Sequence, residues 1–394
     1  MATETWRNWA KTQTARPARI ERPADVEGVV SAVGAAARED IPVRPVGSGH
    51  SLTGLAVTDG VMLDLSGLNR LRSVDPATGR VVVEAGIRLR RLWEELWCYG
   101  LAVDTLGGSG RQSLGGALAT GEHGTGLRFG GIASQVRELE LVTADAEVVT
   151  CSERERPELF QAARVGLGAF GVVTAVTLAC GPVRPVVRRH ERVPVEAFLD
   201  EADDSLECHD HVEFTWIPHQ REVVRSTVDR LAEPPSGPSA GRVVRPRFTE
   251  RPYRALAPRA LRWESEYALP RACFGAAFEE VRALLKGEPA RRTASLRVRF
   301  GAAEDAWLAM GQGRETCYIA AVTARNQTYQ AFFAALESIA ARYDGRPHWG
   351  RMHGLQAATL RTRYPRFDDA RAVRDRVDAQ RRFSNPYLEM VLGR

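Results

Sequence analysis

The chain is 394 residues long, which exceeds the usual size of one compact core, so we expect two domains or a two-lobed fold. Its 44% hydrophobic and 26% charged content is ordinary for a globular protein, and we expect no membrane-spanning segment and no secretory signal. The net charge of +5 comes from arginines interleaved with Asp and Glu, which argues against a nucleic-acid partner. The six cysteines are irregularly spaced without a CxxC pair, as is typical of reduced thiols, so we expect a cytoplasmic protein.

The first half of the chain alternates short apolar segments with glycine. Val26–Ala37 has helical spacing after Asp25, and Leu89–Tyr99 is an amphipathic pattern that ends at Gly100. Short β-branched segments bounded by turn residues predict strands at Val43–Val46, Val61–Leu65, Val81–Ala85, Glu138–Thr143 and Val172–Leu178. Helices and strands mixed at irregular spacing predict an α+β fold.

A domain boundary is predicted near Cys180, where the turn residues of Cys-Gly-Pro-Val-Arg-Pro interrupt the pattern. Beyond it, Val212–Ile217 and Arg221–Val228 alternate as the two strands of a β-hairpin do. The proline-rich stretch from Glu233 to Pro258 predicts a surface loop. Further helices are predicted at Gly275–Leu285, Thr328–Tyr343 and Ala370–Arg381, and further strands at Leu296–Phe300 and Cys317–Thr323.

The segment Pro45-Val-Gly-Ser-Gly-His-Ser-Leu-Thr-Gly54 is the most informative part of the chain. Glycines at 47 and 49 allow a tight turn with successive N–H groups exposed, and such a turn can hold a phosphate or pyrophosphate. The segment is not a Walker loop, because no Gly-Lys-Ser/Thr follows. It is not a Rossmann fingerprint either, because the glycine spacing differs and no helical pattern follows.

A second glycine-rich segment runs from Gly107 to Gly116 and continues through Ala119-Thr-Gly-Glu-His-Gly-Thr-Gly126. Two such loops, about sixty residues apart, indicate one large ligand approached from two sides. The alternative is a pair of tight turns that hold no ligand.

Three strings, VGSGHS, QSLGGALATGEHGTG and GAFGVVTAVTL, resemble the FAD-binding domain of the vanillyl-alcohol-oxidase flavoprotein superfamily. Three more, EFTWIPH, RPHWGRMHG and YPRFDDARAVRDRVDAQRRFSNPYLEMVLG, resemble its sugar-lactone and alditol oxidase branch. The resemblance implies a two-lobed α+β protein with an FAD-binding domain at 1–182 and an α+β substrate (cap) domain at 183–394. It also implies that residues from about 346 to 394 return to the flavin.

The resemblance implies a flavin bound covalently through His50, the histidine that follows Gly-x-Gly. The alternative is a histidine that only hydrogen-bonds within its loop. A single link is expected, because the second loop carries Ser109 and Ser113 where doubly linked relatives have a cysteine. The other cofactor-binding residues that the resemblance implies are Gly47, Ser48, Gly49, Ser51, Ser113, Gly116, Thr120, Gly121, His123, Val172 and His348.

The expected catalytic residues are Arg297, Arg299, Arg351 and Ser113, and here the chain departs from the family pattern. Relatives carry Glu-x-Arg on a strand above the flavin, and in this chain Arg297 stands at the glutamate position. The histidine and threonine that alditol oxidases use on the next strand correspond to Ala320 and Val322. Three arginines with no obvious local carboxylate would need an anion, so we expect an anionic or highly polar substrate. The alternative is that Arg297 points away and pairs with a surface acid such as Glu304 or Asp305.

The sequence therefore predicts an FAD-dependent oxidoreductase that removes hydride from a CH–OH carbon of a small carbohydrate-like molecule. Oxygen is the expected acceptor, giving hydrogen peroxide, and the hydroxyl proton would pass to water, His353 or a substrate group. The alternatives are an oxidase of a specialised pathway acting on an amine, amino sugar or natural product, and a non-catalytic flavin-binding protein. We predict no metal site, since Cys208-His-Asp-His211 lacks a third ligand nearby.

Overall fold

The computed structural model describes residues 4–105, 107–218, 220–232, 243–244, 262–286, 295–324 and 329–394. The first part of the chain contains a three-stranded sheet, a five-stranded sheet, two two-stranded sheets and the helices packed on them. Its elements in chain order are β1 (Trp6–Arg7), β2 (Thr14–Ala15), β3 (Arg19–Glu21), α1 (Val26–Arg38), β4 (Val43–Val46), β5 (Val61–Asp64), β6 (Leu71–Asp75), β7 (Arg80–Glu84), α2 (Leu89–Cys98), β8 (Leu101–Ala102), α3 (Leu114–Ala119), β9 (Val136–Val142), β10 (Val148–Ser152), α4 (Pro157–Ala163), β11 (Val172–Ala179) and β12 (Gly181–Pro182).

A small parallel sheet has the order β3-β5-β4, and an antiparallel sheet has the order β10-β9-β11-β7-β6. Helix α1 begins after Asp25, whose side chain accepts a hydrogen bond from the backbone N–H of Gly28. Its apolar stripe packs against both sheets, because Val29 and Val33 share a core with Val61 and Val172. This packing fixes the end of β4, from which the first glycine-rich loop emerges.

The second part is one large antiparallel sheet with helices on one face. Its elements are β13 (Val186–Pro194), α5 (Val195–Cys208), β14 (His211–Trp216), β15 (Glu222–Arg230), β16 (Val243–Val244), β17 (Arg262–Pro270), α6 (Phe274–Lys286), β18 (Ser295–Gly301), β19 (Thr316–Ala324), α7 (Gln330–Arg342) and β20 (Arg346–Pro347). The strand order is β16-β13-β15-β14-β18-β19-β17-β20.

Alternation along the strands gives this sheet two different faces. Alternate residues such as Leu296, Val298 and Ile319 join the core formed with α5, α6 and α7. The intervening residues, including Arg297 and Arg299, point to the opposite face. The sheet therefore presents charged side chains on the side away from its helices.

The last three helices are α8 (Ala357–Arg363), α9 (Phe367–Val377) and α10 (Pro386–Leu392). Their apolar residues belong to the same core as β7, β9 and α4 of the first part. The Asn385 side chain donates hydrogen bonds to the carbonyls of Gly54, Leu55 and Val57. The carboxy-terminal segment thus packs against the first glycine-rich loop.

The mixed helix and sheet fold confirms the predicted α+β class. The predicted strand at Val43–Val46 has the observed bounds, and the predicted hairpin is present as β14 and β15. Of the stretch predicted as a loop from Glu233 to Pro258, only Val243–Val244 are described, and they form β16 on the sheet edge. None of the helices within the described ranges is long and apolar enough to span a membrane.

Candidate active site

The first glycine-rich loop, Gly47 to His50, is held from outside by the amino-terminal hairpin of β1 and β2. The Trp9 ring stacks on the His50 imidazole, with 5.2 Å between ring centroids and 9° between planes. The Trp9 backbone N–H donates to the Gly49 carbonyl at 2.8 Å. Gly49 has φ +61°, a left-handed conformation that a glycine adopts without strain. The hairpin and the glycine together fix where the imidazole stands.

The second glycine-rich loop meets the first at Gly47 and Ser113. A Cβ built on Gly47 would lie 1.8 Å from Ser113 Oγ, so only glycine allows this approach. The hydroxyls of Ser48 and Ser113 are buried and make no hydrogen bond within the described part of the chain. Buried hydroxyls without partners are a feature of a polar ligand site.

The two loops line one cavity. Its lining includes His50 and also Arg351, which belongs to the part of the site with the charged strands, and it includes Phe170, Gly171 and Val173 around the start of β11. The lining contains Gly47, Ser48, Gly49, His50, Ser51, Ser113, Gly116 and Thr120 of the expected cofactor residues. A cavity bordered by glycine-rich backbone and by buried hydroxyls without partners among the described residues fits a dinucleotide such as FAD.

Four expected cofactor residues lie outside this lining. The Val172 side chain is buried in the core beneath α1, while its neighbours Gly171 and Val173 face the cavity. Gly121 (φ +65°) ends the turn after α3, beside Val165. His123 and His348 lie in the charged cluster around Arg351, with 6.1 Å between their ring centroids.

The charged cluster joins Arg297, Arg299 and Arg351 to three glutamates. Arg299 donates to Glu266 Oε1 at 2.5 Å, and His123 Nε2 lies 3.0 Å from the same oxygen. Arg297 forms an ion pair with Glu264, the second glutamate of β17 on this face. The expectation that these arginines have no local carboxylate is wrong, because β17 supplies two.

Arg351 is surrounded by carboxylates. Its Nε lies 3.2 Å from Glu264 and 3.9 Å from Glu266, and its Nη2 lies 3.8 Å from Glu122. Glu122 also accepts hydrogen bonds from the Gly108 N–H and from Gln112. Three guanidinium groups therefore face three carboxylates, and the cluster needs no anionic ligand for charge balance.

The alternative partners of Arg297 are engaged elsewhere. Glu304 accepts from the Gly131 N–H at 3.0 Å, and Asp305 forms an ion pair with Arg164. Arg297 neither points away nor pairs with either of them. The registers place Ala320 opposite Arg297 and Val322 opposite Ser295, so these two small side chains lie between β18 and β17 on the charged face.

The surroundings perturb several ionisable groups. Burial would raise the pKa of Glu266, but Arg299 and His123 outweigh it and hold that pKa well below its usual range. For Glu122, burial is likewise outweighed, by His348 and Arg351, and the pKa is well below its usual range. Burial, with the nearby Arg351, lowers the pKa of His50 to about 4. The glutamates are thus ionised and His50 is neutral at pH 7.

Other histidines considered from the sequence have different surroundings. His353 Nε2 lies 2.8 Å from the Tyr387 hydroxyl, and burial lowers its pKa to about 4. His353 does not line the cavity. His209 pairs with Asp229, and His211 donates from Nδ1 to the Thr125 carbonyl at 2.8 Å. No group of three possible metal ligands occurs within the ranges that the structure describes.

The sequence interpretation missed Glu264, Glu266 and Glu122. A signal for the first two was present, because Glu264-Ser265-Glu266 places two carboxylates on one face of any strand. That strand was not predicted, and its position beside β19 follows from the sheet order alone. Glu122 lies between Gly121 and His123 in a loop, where no spacing pattern identifies a role.

Two family descriptions match this chain. Residues 17–152 match the FAD binding domain family, and residues 250–391 match the family described as D-arabinono-1,4-lactone oxidase. The first match contains both glycine-rich loops, and the second contains the charged strands β17 and β18.

Curated relatives match over almost their whole length. The chain is 37% identical to L-gulono-1,4-lactone dehydrogenase of Mycobacterium tuberculosis, covering 98% of this chain and 99% of that protein. It is 30% identical to L-gulonolactone oxidase of Bos taurus, covering 98% of each chain. It is 31% identical to alditol oxidase of a Streptomyces species, again covering 98% of each chain.

Among solved structures, cholesterol oxidase from Brevibacterium sterolicum has a similar fold. The TM-score is 0.82 at 16% sequence identity, over 99% of this chain and 97% of that one. At this identity the similarity supports the two-part fold and nothing about substrate.

Proposed function

Because the chain belongs to the family of FAD-dependent sugar-lactone and alditol oxidoreductases, we propose that it oxidises a CH–OH carbon of an uncharged sugar lactone or polyol. FAD, when bound, supplies the acceptor for the hydride that leaves that carbon. The observation that carries the substrate class is the charge balance around Arg351, which lines the cavity. Three arginines are already matched there by Glu122, Glu264 and Glu266.

A hydroxyl-rich ligand suits the atoms that this cluster leaves without partners. Arg297 Nη1 and Arg299 Nε are buried donors, and Glu266 Oε2 is a buried acceptor, and none makes a hydrogen bond among the described residues. A hydroxyl group both donates and accepts, so it can satisfy a guanidinium and a carboxylate together. A carboxylate ligand offers no donor and would add a buried negative charge.

The proposed roles of the residues follow from these atoms. Glu266 Oε2 accepts the hydrogen of a substrate hydroxyl, and Arg297 and Arg299 donate to substrate oxygens. Arg351 lines the FAD cavity and also belongs to the charged cluster, so its cation is available where negative charge develops on the oxidised oxygen. Ser113 offers a buried hydroxyl in the same cavity.

We also propose that FAD is bound covalently through one ring nitrogen of His50. The imidazole lines the cavity, is neutral at pH 7 and therefore keeps a lone pair for the bond. The stacked Trp9 covers one ring face and leaves the edge nitrogens uncovered by that contact. Dioxygen is the proposed final acceptor, with hydrogen peroxide as its product.

The substrate proposal is tested by mixing the holoenzyme anaerobically with a panel of lactones and polyols and recording flavin absorbance. Bleaching by at least one uncharged member, followed by peroxide release in air, is the expected result. Bleaching only by amines or sugar acids would contradict the proposal.

The covalent link is tested by acid precipitation of the protein. A yellow, fluorescent pellet is expected for the native chain and a colourless one for His50→Ala. A colourless native pellet would show that FAD is bound without a covalent bond.

A further inference from the structure

The ion pair between Arg297 and Glu264 spans an entire strand. Arg297 on β18 is in register with Ala320 of β19, and Glu264 on β17 is in register with Val322 of β19. The two backbones are separated by two strand spacings, about 10 Å. Both side chains are long, and the ion pair lies above Ala320 and Val322, whose small size leaves room for it.

Glu264 also contacts Arg351, which lines the cavity. Arg351 Nε lies 3.2 Å from Glu264, closer than to either Glu266 or Glu122. The side chains of Glu264 and Arg351 are 16% and 11% exposed, whereas Glu266 is fully buried. Glu264 is therefore the outermost carboxylate of the cluster, and it lies between two cations, Arg297 and Arg351.

The hydrogen bonds of Arg297 are incomplete. Its Nη2 donates to Glu264, while Nε and Nη1 are buried and make no hydrogen bond among the described residues. These N–H groups are available to a ligand oxygen. Whether they bind a hydroxyl oxygen or a carboxylate oxygen depends on the net charge around them. Glu264 is the carboxylate that balances the charge of Arg297.

We propose that Glu264 is a specificity-determining residue that makes this site select hydroxyl groups over carboxylates. It neutralises Arg297 without occupying all of its donors, so the guanidinium binds ligands as a hydrogen-bond donor and not as an uncompensated cation. The inference rests on the proposed function, because it concerns the substrate of that same site.

The experiment compares an uncharged probe, L-gulono-1,4-lactone, with its ring-opened carboxylate, L-gulonate. Their dissociation constants are measured by calorimetry on anaerobic, dithionite-reduced holoenzyme, which cannot oxidise either probe. The variants are Glu264→Gln, Arg297→Gln and the double variant. Glu222→Gln is the matched control, since Glu222 pairs with Arg192 at the exposed end of the same sheet.

The native enzyme should bind the lactone more tightly than gulonate. Glu264→Gln leaves one cation unmatched and should shift the ratio of affinities toward gulonate by about tenfold or more. Arg297→Gln should shift the ratio the opposite way, and the double variant should return it toward the native value. General damage to the fold weakens both probes alike and cannot produce opposite shifts that cancel.

The inference is overturned if Glu264→Gln leaves the ratio at the native value, or if Glu222→Gln shifts it equally. Failure of the proposed function gives a different result. In that case no lactone or polyol bleaches the native flavin, while the probe ratios still respond to Glu264 and Arg297.

Discussion

Two arginines of β18 reach two glutamates of β17 across β19, and for Arg297 and Glu264 the intervening residues Ala320 and Val322 are small. Each pair is offset by one diagonal step, Arg297 with Glu264 and Arg299 with Glu266. Removing one member would leave a buried charge uncompensated, which typically costs about 3–5 kcal/mol. The Arg297–Glu264 pair thus depends on the small size of Ala320 and Val322, although neither of these two residues is polar.

A second residue-scale constraint is Gly47, and we predict that Gly47→Ala abolishes FAD binding. The new Cβ would lie 1.8 Å from Ser113 Oγ and 2.9 Å from Ser113 Cβ, so rotation of the serine hydroxyl cannot remove the clash. The two glycine-rich loops must separate, and the cavity between them changes shape. The measurement is the ratio of flavin absorbance to protein absorbance in the purified protein.

Gly275→Ala is the matched control for that substitution. Gly275 lies in α6, and a Cβ there meets nothing within 4 Å. Such a change in a helix typically adds about 0.4–1 kcal/mol of stability, so FAD content should equal that of the native chain. Full flavin occupancy in Gly47→Ala would show that the loop contact does not shape the cofactor site.

At the scale of elements, the amino-terminal hairpin acts on the His50 loop through side chains as well as backbone. Asn8 donates to the Ser51 carbonyl at 2.8 Å, and Thr12 and Gln13 donate to the Leu52 carbonyl. Together with the stacking of Trp9 on His50, these contacts hold the loop backbone on the carboxy-terminal side of His50, and the Trp9 N–H holds it at Gly49. The hairpin therefore positions the imidazole although it belongs to neither glycine-rich loop.

We predict that Trp9→Ala retains FAD but lowers the covalently bound fraction. An aromatic stack contributes about 0.5–1.5 kcal/mol, so loss of the preferred imidazole orientation should lower that fraction about two- to tenfold during a limited incubation. In-gel flavin fluorescence after denaturation reports the covalent fraction, and absorbance of the native protein reports total FAD.

Trp9→Phe should restore most of the fluorescence, because it keeps a ring over His50. Tyr99→Ala is the control, since Tyr99 is an exposed aromatic residue at the end of α2 and belongs to neither loop. If total FAD and covalent FAD fall together in Trp9→Ala, the hairpin stabilises the fold and does not orient the histidine.

Elements with a clear pattern could be predicted from the sequence, and those whose role depends on neighbours could not. Val43–Val46 and the β14–β15 hairpin follow from β-branched and alternating residues. Strand β17 was missed, because its charged Glu264 and Glu266 break the apolar pattern that marks a strand. Both glutamates pair with β18 only because β17 lies beyond β19, and this order is a property of the whole sheet.

For the whole molecule, the carboxy-terminal segment joins the two parts around the site. Leu52 N–H donates to the Gly350 carbonyl, and the Thr53 hydroxyl donates to the Trp349 carbonyl. His348 and Met352 in turn donate their backbone N–H groups to the backbone carbonyls of Glu266 and Glu264 on β17. Residues 348–352 therefore contact both the His50 loop and the charged strand, so the site and the global fold share interactions.

Because buried histidines belong to these shared interactions, we predict that the free energy of unfolding falls as the solution is acidified from pH 7 toward pH 4.5. Burial lowers the pKa values of His123 and His353 to about 4, from an unfolded value near 6.5. Between these two values the unfolded chain binds protons that the folded chain does not. The contribution of each imidazole to the free energy of unfolding is therefore at its full value above pH 6.5. On acidification it declines by up to about 1.4 kcal/mol per pH unit. The depressed pKa values of Glu122 and Glu266 add a further loss below the usual carboxyl range.

The contribution of one histidine can be isolated with His353→Gln, measured by calorimetric melting temperature of the holoenzyme at several pH values. The variant should lose stability at pH 7 but show a shallower decline between pH 6.5 and pH 5, because one proton-binding group has been removed from the unfolded chain. Tyr387→Phe is the matched control, since it removes the hydrogen-bond partner of His353 and leaves the imidazole in place. Its melting temperature should change by a similar amount at each pH above 5, so the plot of melting temperature against pH should keep the native slope. Parallel pH curves for His353→Gln and the native enzyme would mean that this imidazole is not held neutral by the core.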